Sequence, residues 1–235
     1  MANIDASAQS VREINQAIRH GIGRKEAVIV QNPGARHNLG VALLEVGEVR
    51  IAGSVGYYCG GLSDGASIEI EGSAGWGLAE SMLSGTVRVH GNAGSGAAAA
   101  LRGGTVVIHG DAAARLGVSL KGGTVLVGGN CGYMAGFMAQ KGTLVVCGDA
   151  GEAFADSMYA TECYVGGKVT NLGTDAVLAT MDPGDVVRLE EMLAAYLPPA
   201  LRKTKPRAVD FKKVVSGRKL WNFDKRAWKI WQEAL

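Results

Sequence analysis

Short apolar segments recur along the chain at a constant interval, and within each segment apolar positions alternate. The phrase GGTVVIHG at 103–110 returns nineteen residues later as GGTVLVGG at 122–129. A glycine closes each segment, and these repeat glycines follow one another at nineteen-residue intervals: Gly53, Gly72, Gly91, Gly110, Gly129, Gly148 and Gly167. Gly34 lies in the same register, which predicts an imperfect leading coil. A fixed period of this length is typical of a repeat architecture.

The residues four and two positions before each repeat glycine are apolar and mostly β-branched. They are Val49/Ile51, Ile68/Ile70, Val87/Val89, Val106/Ile108, Val125/Val127, Leu144/Val146 and Cys163/Val165. This alternation predicts strands that show one face inward. A nineteen-residue unit cannot bury such a pair alone, but stacked units bury the pairs in a continuous column. At a strand spacing of about 4.8 Å, the column would be roughly 30 Å high.

Glycine accounts for 35 of the 235 residues, and the repeat places it at the bends. We expect the repeat glycines to adopt positive φ, which glycine does without steric cost. A second glycine follows three residues later in five coils, and Ala113 takes its place in the fourth. A further apolar ladder lies ten residues after the repeat glycine and comprises Met82, Leu101, Leu120 and Met158.

Together these patterns predict an all-β fold, a single-stranded parallel β-helix of about seven 19-residue coils. The right-handed form is favoured because the left-handed hexapeptide helix uses coils of three hexads. Ca²⁺-binding nonapeptide repeats would require a regular Asp, which the sequence lacks.

The residues three positions before the repeat glycines point outward and change character along the column. They read Arg50, Glu69, Arg88, Val107, Leu126, Val145 and Tyr164. A charged ladder suits solvent, whereas an exposed apolar row on a protein surface marks a covered region. The sequence leaves two alternatives for what covers this row: a C-terminal helix of the same chain, or another subunit.

One position before the repeat glycine, the ladder reads Glu71, His90 and His109. Stacking would place these side chains about 4.8 Å apart. Two neighbouring histidines with a glutamate could bind a metal or sense pH. A polar outer ladder or an interface contact is favoured instead, because no third and fourth ligand is evident.

The flanking segments predict two helices and additional strands. Val11, Ile14 and Ile18 share one face of a helix over 7–20, with Gly21 as its expected C-cap. Residues 27–32 and 41–46 are expected to be strands that lead into the column. Near the far end, Asp182 caps a helix that Pro198 stops. The apolar face of this second helix comprises Val186, Leu189, Leu193 and Leu197.

We therefore divide the chain into four parts. Residues 1–46 form an N-terminal helix and capping strands, residues 47–181 the β-helix, residues 182–197 a helix, and residues 198–235 an extended tail. The chain holds 24 Lys/Arg and 22 Asp/Glu. The tail has eleven and three of these, so residues 1–197 have 13 and 19. The acidic body thus carries a basic tail.

The tail concentrates aromatic residues among its basic ones, namely Phe211, Trp221, Phe223, Trp228 and Trp231. Basic patches with aromatics are typical of nucleic-acid binding. Docking on a partner protein is favoured here, because Trp and Arg are frequent interface anchors and the body is acidic.

Other sequence signals argue against a reaction centre in this chain. The four cysteines are scattered without a CxxC pair, which predicts reduced thiols in the cytoplasm. We expect no secretory signal and no transmembrane helix. GSAGWG at 72–77 and GNAGSG at 91–96 lie inside the repeat with no long helix after them, so they do not predict a phosphate loop. We therefore assign no catalytic, cofactor-binding or metal-binding residue.

The coils at 72–112, GSAGWGLAESMLSGTVRVHGNAGSGAAAALRGGTVVIHGDA, resemble the GXGXG β-helix domain. That domain is found at the C-terminus of the glutamate synthase large subunit and in the β-helical subunit of formylmethanofuran dehydrogenase. The G-[ND]-A-G segments at 91–94 and 148–151 and the G-G-T-[VL]-x-[VI] strand starts carry the resemblance. It covers residues 47–167 well and the flanks less well.

As a separate chain of this length, the sequence is most similar to the β-helical subunit of N-methylglutamate synthases, also called methylamine–glutamate N-methyltransferases. The resemblance implies a non-catalytic scaffold that holds two partners in register. These would be a glutamine-amidotransferase-like subunit and a synthase-like subunit with FMN and an iron–sulfur cluster. The implied reaction converts methylamine and L-glutamate to N-methyl-L-glutamate and ammonia. The alternatives are the β-helical subunit of a formylmethanofuran dehydrogenase or formyltransferase/hydrolase complex, a stand-alone glutamate synthase subunit, and a nucleic-acid-binding solenoid.

Overall fold

A computed structural model describes residues 1–217 and shows a single eleven-stranded sheet wound into a column. The strands are β1 (Ala2–Asp5), β2 (Val28–Gln31), β3 (Gly47–Ala52), β4 (Ala66–Ile70), β5 (Thr86–Val89), β6 (Thr105–Ile108), β7 (Thr124–Val127), β8 (Lys141–Val146), β9 (Ala160–Val165), β10 (Ala176–Ala179) and β11 (Lys212–Ser216). Strands β1 to β9 pair in parallel in chain order. Two α-helices, α1 (Val11–Gly23) and α2 (Pro183–Tyr196), and two 3₁₀ turns, Pro199–Leu201 and Ala208–Asp210, complete the described part.

The nineteen-residue period is the pairing register of the central strands. Ile68 pairs with Val87, and Val87 pairs with Val106. A second line of bridges runs through the residue two positions after each repeat glycine, from Val55 to Val169. The predicted parallel β-solenoid of about seven turns is thus confirmed.

The interior of the column is formed by the residues that the alternation predicted to be inward. All fourteen residues of the seven strand pairs are buried. The ladder from Met82 to Met158 is buried as well, so that prediction is also confirmed. A third inward ladder, which we did not predict, comprises Cys59, Leu78, Ala97, Leu116, Ala135 and Phe154. Full burial of a Val, Leu or Ile side chain stabilises the fold by about 1.5–3 kcal/mol, so the column is the main source of stability.

The repeat glycines are required for a reason other than the predicted one. Only Gly53 among the seven has positive φ, so our expectation for the other six is wrong. Instead, consecutive coils approach too closely there for a side chain. A Cβ on Gly91 would lie 2.4 Å from the Ser73 hydroxyl oxygen and 2.9 Å from the Gly72 carbonyl oxygen. Glycine fits this bend because the backbone of one coil rests on that of the previous coil.

Positive φ occurs at other positions of the coil, five, seven and nine residues after the repeat glycine. In the coil that follows Gly110, these are Arg115 (φ 58°), Gly117 (φ 61°) and Ser119 (φ 54°). The same three positions are left-handed in the coils that follow Gly53, Gly72, Gly91, Gly129 and Gly148. Left-handed residues alternating with ordinary ones make the long bend of each coil, and many of them are not glycine.

A leading coil precedes the repeat, but its register differs from the predicted one. Val30 pairs with Ile51, twenty-one residues later, so Asn32 and not Gly34 aligns with Gly53. The predicted strand over 27–32 is present as β2. The predicted strand over 41–46 is wrong, because this segment forms the bend of the leading coil. Ala42 has positive φ there, which a strand cannot accommodate.

Helix α1 closes the first end of the column. Ser10 caps it in a reciprocal capping box with Glu13. Ile14 and Ile18 are fully buried in the main core, as the predicted apolar face requires. The helix continues through Gly23, so Gly21 is not its C-cap. Gly21 is instead a contact point, because a Cβ there would lie 2.6 Å from a methyl carbon of Val28.

Helix α2 covers the outward apolar row. Of the two alternatives for this cover, the structure therefore shows the C-terminal helix of the same chain. Asp182 caps the helix, as predicted. Leu189, Leu193 and Leu197 are buried in a second core. The other wall of this core includes Val107, Leu126, Val145 and Tyr164 of the column.

The segment after α2 folds back on the column instead of extending from it. The backbone N–H of Thr204 donates to the Gly128 carbonyl at 2.9 Å, and Phe211 is buried. Strand β11 then pairs antiparallel with β9, and β10 pairs antiparallel with β11. Residues 198–217 are therefore part of the folded body, although the sequence groups them with the tail. No helix within residues 1–217 is long and apolar enough to cross a membrane.

Candidate functional site

The polar residue after each repeat glycine forms a hydrogen-bond ladder along one corner. Each side chain accepts a hydrogen bond from the backbone N–H of its counterpart in the next coil, at 2.7–3.1 Å. The accepting residues are Ser54, Ser73, Asn92, Asp111, Asn130 and Asp149. The G-[ND]-A-G segments therefore have a structural role, because Asn and Asp supply the oxygen and glycine permits the close stacking.

His90 and His109 stack as the repeat predicts, with ring centroids 4.9 Å apart. The polar partner of His90 lies diagonally across the strands. His90 Nε2 lies 2.8 Å from a Glu69 carboxylate oxygen, while Glu71 forms its ion pair with Arg50. Glu71 is thus engaged elsewhere and does not complete a cluster with the histidines. Within residues 1–217, no group of three or more His, Cys, Asp or Glu is placed to hold a metal ion.

His109 is the more buried member of the pair, with 8% of its surface exposed. Its Nε2 is buried and has no hydrogen-bond partner among the described residues. Burial, followed by the positive charges of His90 and Arg88, lowers the pKa of His109 to about 4. The imidazole is therefore neutral at pH 7, and protonating it would place a charge among other cations.

The four cysteines are all buried and unbonded to one another. Burial raises the pKa of Cys59 and of Cys131 to about 12, and that of Cys147 to about 11. It also raises the pKa of Cys163. The thiolate is the reactive form of cysteine, so these side chains act as small apolar residues of the core.

The most distinctive surface lies on the long bend of the coils, which we call the turn face. It comprises the residues four to eleven positions after each repeat glycine. An aromatic ladder runs along it: His37 stacks on Tyr57 with centroids 4.3 Å apart, and Tyr57 stacks on Trp76 at 5.2 Å. The backbone N–H of Tyr57 donates to His37 Nδ1 at 2.8 Å, which fixes the first ring.

The ladder is interrupted beyond Trp76. The next two coils carry Ser95 and Ala114 at the corresponding position, and Tyr133 follows in the third. The rungs of Trp76 and Tyr133 are three coils apart, which is about 14 Å along the column. Between them lies an open groove of about 550 Å³, which we call the aromatic slot. Its lining comprises Tyr58, Trp76, Gly77, Glu80, Ser95, Gly96, Ala99, Ala114, Arg115, Val118 and Tyr133.

The chemistry of the aromatic slot suits a bound apolar or planar group. Tyr58, Trp76 and Tyr133 are 48%, 57% and 50% exposed. The floor between them consists of small residues. Glu80 and Arg115 lie at the rim, and neither forms an ion pair within residues 1–217. Exposed aromatic rings around a small-residue floor are typical of an interaction site.

The aromatic slot is the feature that the sequence reasoning missed. Its signal is present in the repeat alignment, four residues after the repeat glycine, where Tyr57, Trp76 and Tyr133 flank two small residues. The inward positions of the same alignment do not reveal it. Trp221, Phe223, Trp228 and Trp231, which we predicted to be docking anchors, lie outside the described residues.

Comparison with known proteins does not identify the chain. It matches no protein-family model, and no curated protein matches it in sequence. The resemblance to the GXGXG domain and to N-methylglutamate synthase therefore stays a prediction.

Proposed function

We propose that this chain is the non-catalytic scaffold subunit of a glutamate synthase-like complex, an N-methyl-L-glutamate synthase. The complex would convert methylamine and L-glutamate to N-methyl-L-glutamate and ammonia in the cytoplasm. A glutamine-amidotransferase-like subunit would be one partner. The other would be a synthase-like subunit that holds FMN and an iron–sulfur cluster.

The observation that carries the scaffold role is how the polar side chains of residues 1–217 are used. Asn92 and Asp111 hold consecutive coils together, Glu69 and Glu71 bond to neighbouring strands, and the thiols lie in the core. The turn face instead exposes the aromatic side chains of Tyr58, Trp76 and Tyr133. Such a surface is suited to contact with another macromolecule or segment.

The choice of complex rests on the motif resemblance. In this chain the glycines of the G-[ND]-A-G segments lie where consecutive coils approach most closely, and their Asn or Asp accepts the hydrogen bond of the corner ladder. Any GXGXG β-helix shares that requirement, so it supports the fold family and leaves the complex to be tested. The β-helical subunit of a formylmethanofuran dehydrogenase or formyltransferase/hydrolase complex is the second candidate.

The test is purification of the tagged chain from its native host, with identification of the bound subunits and an assay of the purified complex. We expect two larger subunits, flavin and iron–sulfur absorbance, and formation of N-methylglutamate that requires both methylamine and glutamate. The chain alone should have no turnover. Partners with pterin or metallohydrolase sites would favour the second candidate, and turnover by the isolated chain would refute the scaffold role.

A further inference from the structure

We propose that residues 218–235 of this chain bind in its own aromatic slot. The sequence alone favours docking of this basic, Trp-rich segment on a partner. The geometry of the described residues points instead to the turn face of the same molecule. This inference is independent of the proposed function, because it concerns contacts within one chain.

The first argument is the place where the described chain ends. The Gly217 backbone N–H donates to the Asp175 carbonyl at 2.7 Å. Thr174, the residue before Asp175, stacks on the turn face, since its carbonyl accepts from the Ser157 N–H at 2.8 Å. The chain therefore leaves the body on the turn face, in line with the residues that form the edge of the aromatic slot.

The second argument is reach. Thr174 stacks on Asp156, one coil step along the column. Asp156 lies two coils, or 38 residues, after Val118, which lines the slot. Three coil steps measure about 14 Å along the column. Extended chain spans about 3.3 Å per residue, so Trp221 can reach the near end of the slot and Trp228 can pass its far end. No long linker is needed.

The third argument is chemical fit. The segment brings three tryptophans and five Lys/Arg against two Asp/Glu. The slot offers two aromatic walls with room for planar side chains, where stacking and cation–π contacts are favourable. Glu80 at the rim and Glu152 on the way to it have no ion-pair partner within residues 1–217, and both would attract a basic segment. Arg115 is the one like charge among the lining residues of the slot and would face an acidic or aromatic residue of the segment.

The first experiment measures protection of the segment from trypsin in the full chain. Cleavage after Lys225, Arg226 and Lys229 is followed by mass spectrometry. Ala114→Trp fills the slot, whereas His20→Trp adds the same ring at an exposed site on α1, away from the slot. We expect cleavage in wild type and in His20→Trp to be about tenfold slower than in Ala114→Trp, because proteolysis follows the open population. Equal rates in all three proteins would overturn the proposal.

The second experiment does not require the fold to accommodate a tryptophan in the slot. Ser95→Cys is paired in turn with Trp221→Cys, Trp228→Cys or Trp231→Cys in the full chain, and disulfide formation is followed under mild oxidation. The native cysteines are buried and should not compete. We expect at least one pair to close within a single chain, and His20→Cys, exposed on α1 away from the slot, to stay open with the same partners. Disulfides between chains would assign the slot to a second copy, and failure of all three pairs would leave it to a partner protein; either result would refute the proposal.

Discussion

Two outward surfaces of the column, the apolar row of the strand face and the interrupted aromatic ladder of the turn face, differ in what covers them. On the strand face, Val107, Leu126, Val145 and Tyr164 are at most 1% exposed beneath α2. On the turn face, Trp76 and Tyr133 are about half exposed within residues 1–217. The difference teaches that an apolar row in a repeat protein shows where a contact is made, while the identity of the cover depends on the segments that follow the repeat.

The two faces also differ in how their charges are used. On the strand face, the Asp185 carboxylate is inaccessible and accepts hydrogen bonds from the Tyr164 hydroxyl and the Lys213 ammonium, each at 2.9 Å. Arg188 bonds to the same carboxylate. One acidic group thus joins α2, β9 and β11. The charges at the rim of the aromatic slot, Glu80 and Arg115, form no ion pair within residues 1–217.

Among the substitutions that test this difference between the two faces, we expect Asp185→Asn to lower the free energy of unfolding the most. Removing the charge takes an anion from Arg188 and leaves Lys213, which is largely buried, with Glu162 at 2.7 Å as its remaining anion. Loss of one partner of a buried pair costs at most about 3–5 kcal/mol. The measurement is the free energy of unfolding in urea at pH 7. Asp210→Asn breaks an exposed ion pair with Arg207 and should leave the midpoint nearly unchanged. Equal effects of the two variants would show that the cluster does not hold the cover in place.

The same cluster has a defined acid dependence. Burial alone would raise the pKa of Asp185, but hydrogen bonds from Lys213, the Asp182 backbone and Tyr164 hold it well below the ordinary value. A depressed carboxyl pKa stabilises the folded state above the unfolded pKa of about 3.9, and this contribution is lost as the pH falls below it. The difference between wild type and Asp185→Asn should therefore shrink below about pH 4.

The next effect compares the two apolar rows directly. Leu126→Ala removes a fully buried side chain between the column and α2, which should lower the free energy of unfolding by about 2–5 kcal/mol. Tyr133→Ala truncates a half-exposed ring of the aromatic slot and should lower it by no more than about 1.4 kcal/mol, the free energy that corresponds to tenfold protection of residues 218–235. Both are measured by urea unfolding at pH 7. A loss in Tyr133→Ala as large as that in Leu126→Ala would show that contacts of the turn face stabilise the fold as much as those beneath α2.

The repeat could be predicted from sequence because inward positions such as Ile68 and Val87 obey a simple two-residue alternation. The capping of α2 by Asp182 was equally local. The leading coil was misaligned because one bend contains extra residues, which shifts Val30 to a partner twenty-one residues later. The φ values of the bends could not be inferred either, since Arg115 and Ser119 occupy left-handed positions that composition assigns to glycine.

The candidate site was predictable only in part. The stacking of His90 on His109 followed from the period, whereas the diagonal bond from His90 to Glu69 depends on side-chain direction. The aromatic slot required a comparison of outward positions on the bend, where no alternation exists. The association of Asp185 with Lys213 joins segments 28 residues apart and has no local sequence signal.

A smaller effect is expected in the pH range where His109 titrates. Its pKa of about 4 lies below the unfolded value of about 6.5, so its neutral form stabilises the fold above pH 6.5. That contribution, at most about 3 kcal/mol, is lost as the pH falls from 6.5 to 4. His109→Gln should flatten the decrease, and the exposed His20→Gln should not. If the stability of His109→Gln fell with pH as steeply as that of wild type, the residues around His109 would rearrange to accommodate its charge when it is protonated.

The smallest effect tests the backbone of the turn face itself. Gly96 and Arg115 occupy the same left-handed position in consecutive coils, with φ of 69° and 58°. A Cβ on Gly96 would meet no atom within 4 Å, so Gly96→Ala isolates the cost of the φ angle. We expect it to destabilise the fold by about 1 kcal/mol, and Arg115→Gly to stabilise it by about 0.5 kcal/mol, because the strain exceeds the entropy that glycine adds to the unfolded chain. Arg115→Ala, which keeps the strain, should resemble wild type. If Gly96→Ala were neutral, the bend would be relaxed, and the many non-glycine residues at these positions would be tolerated without cost.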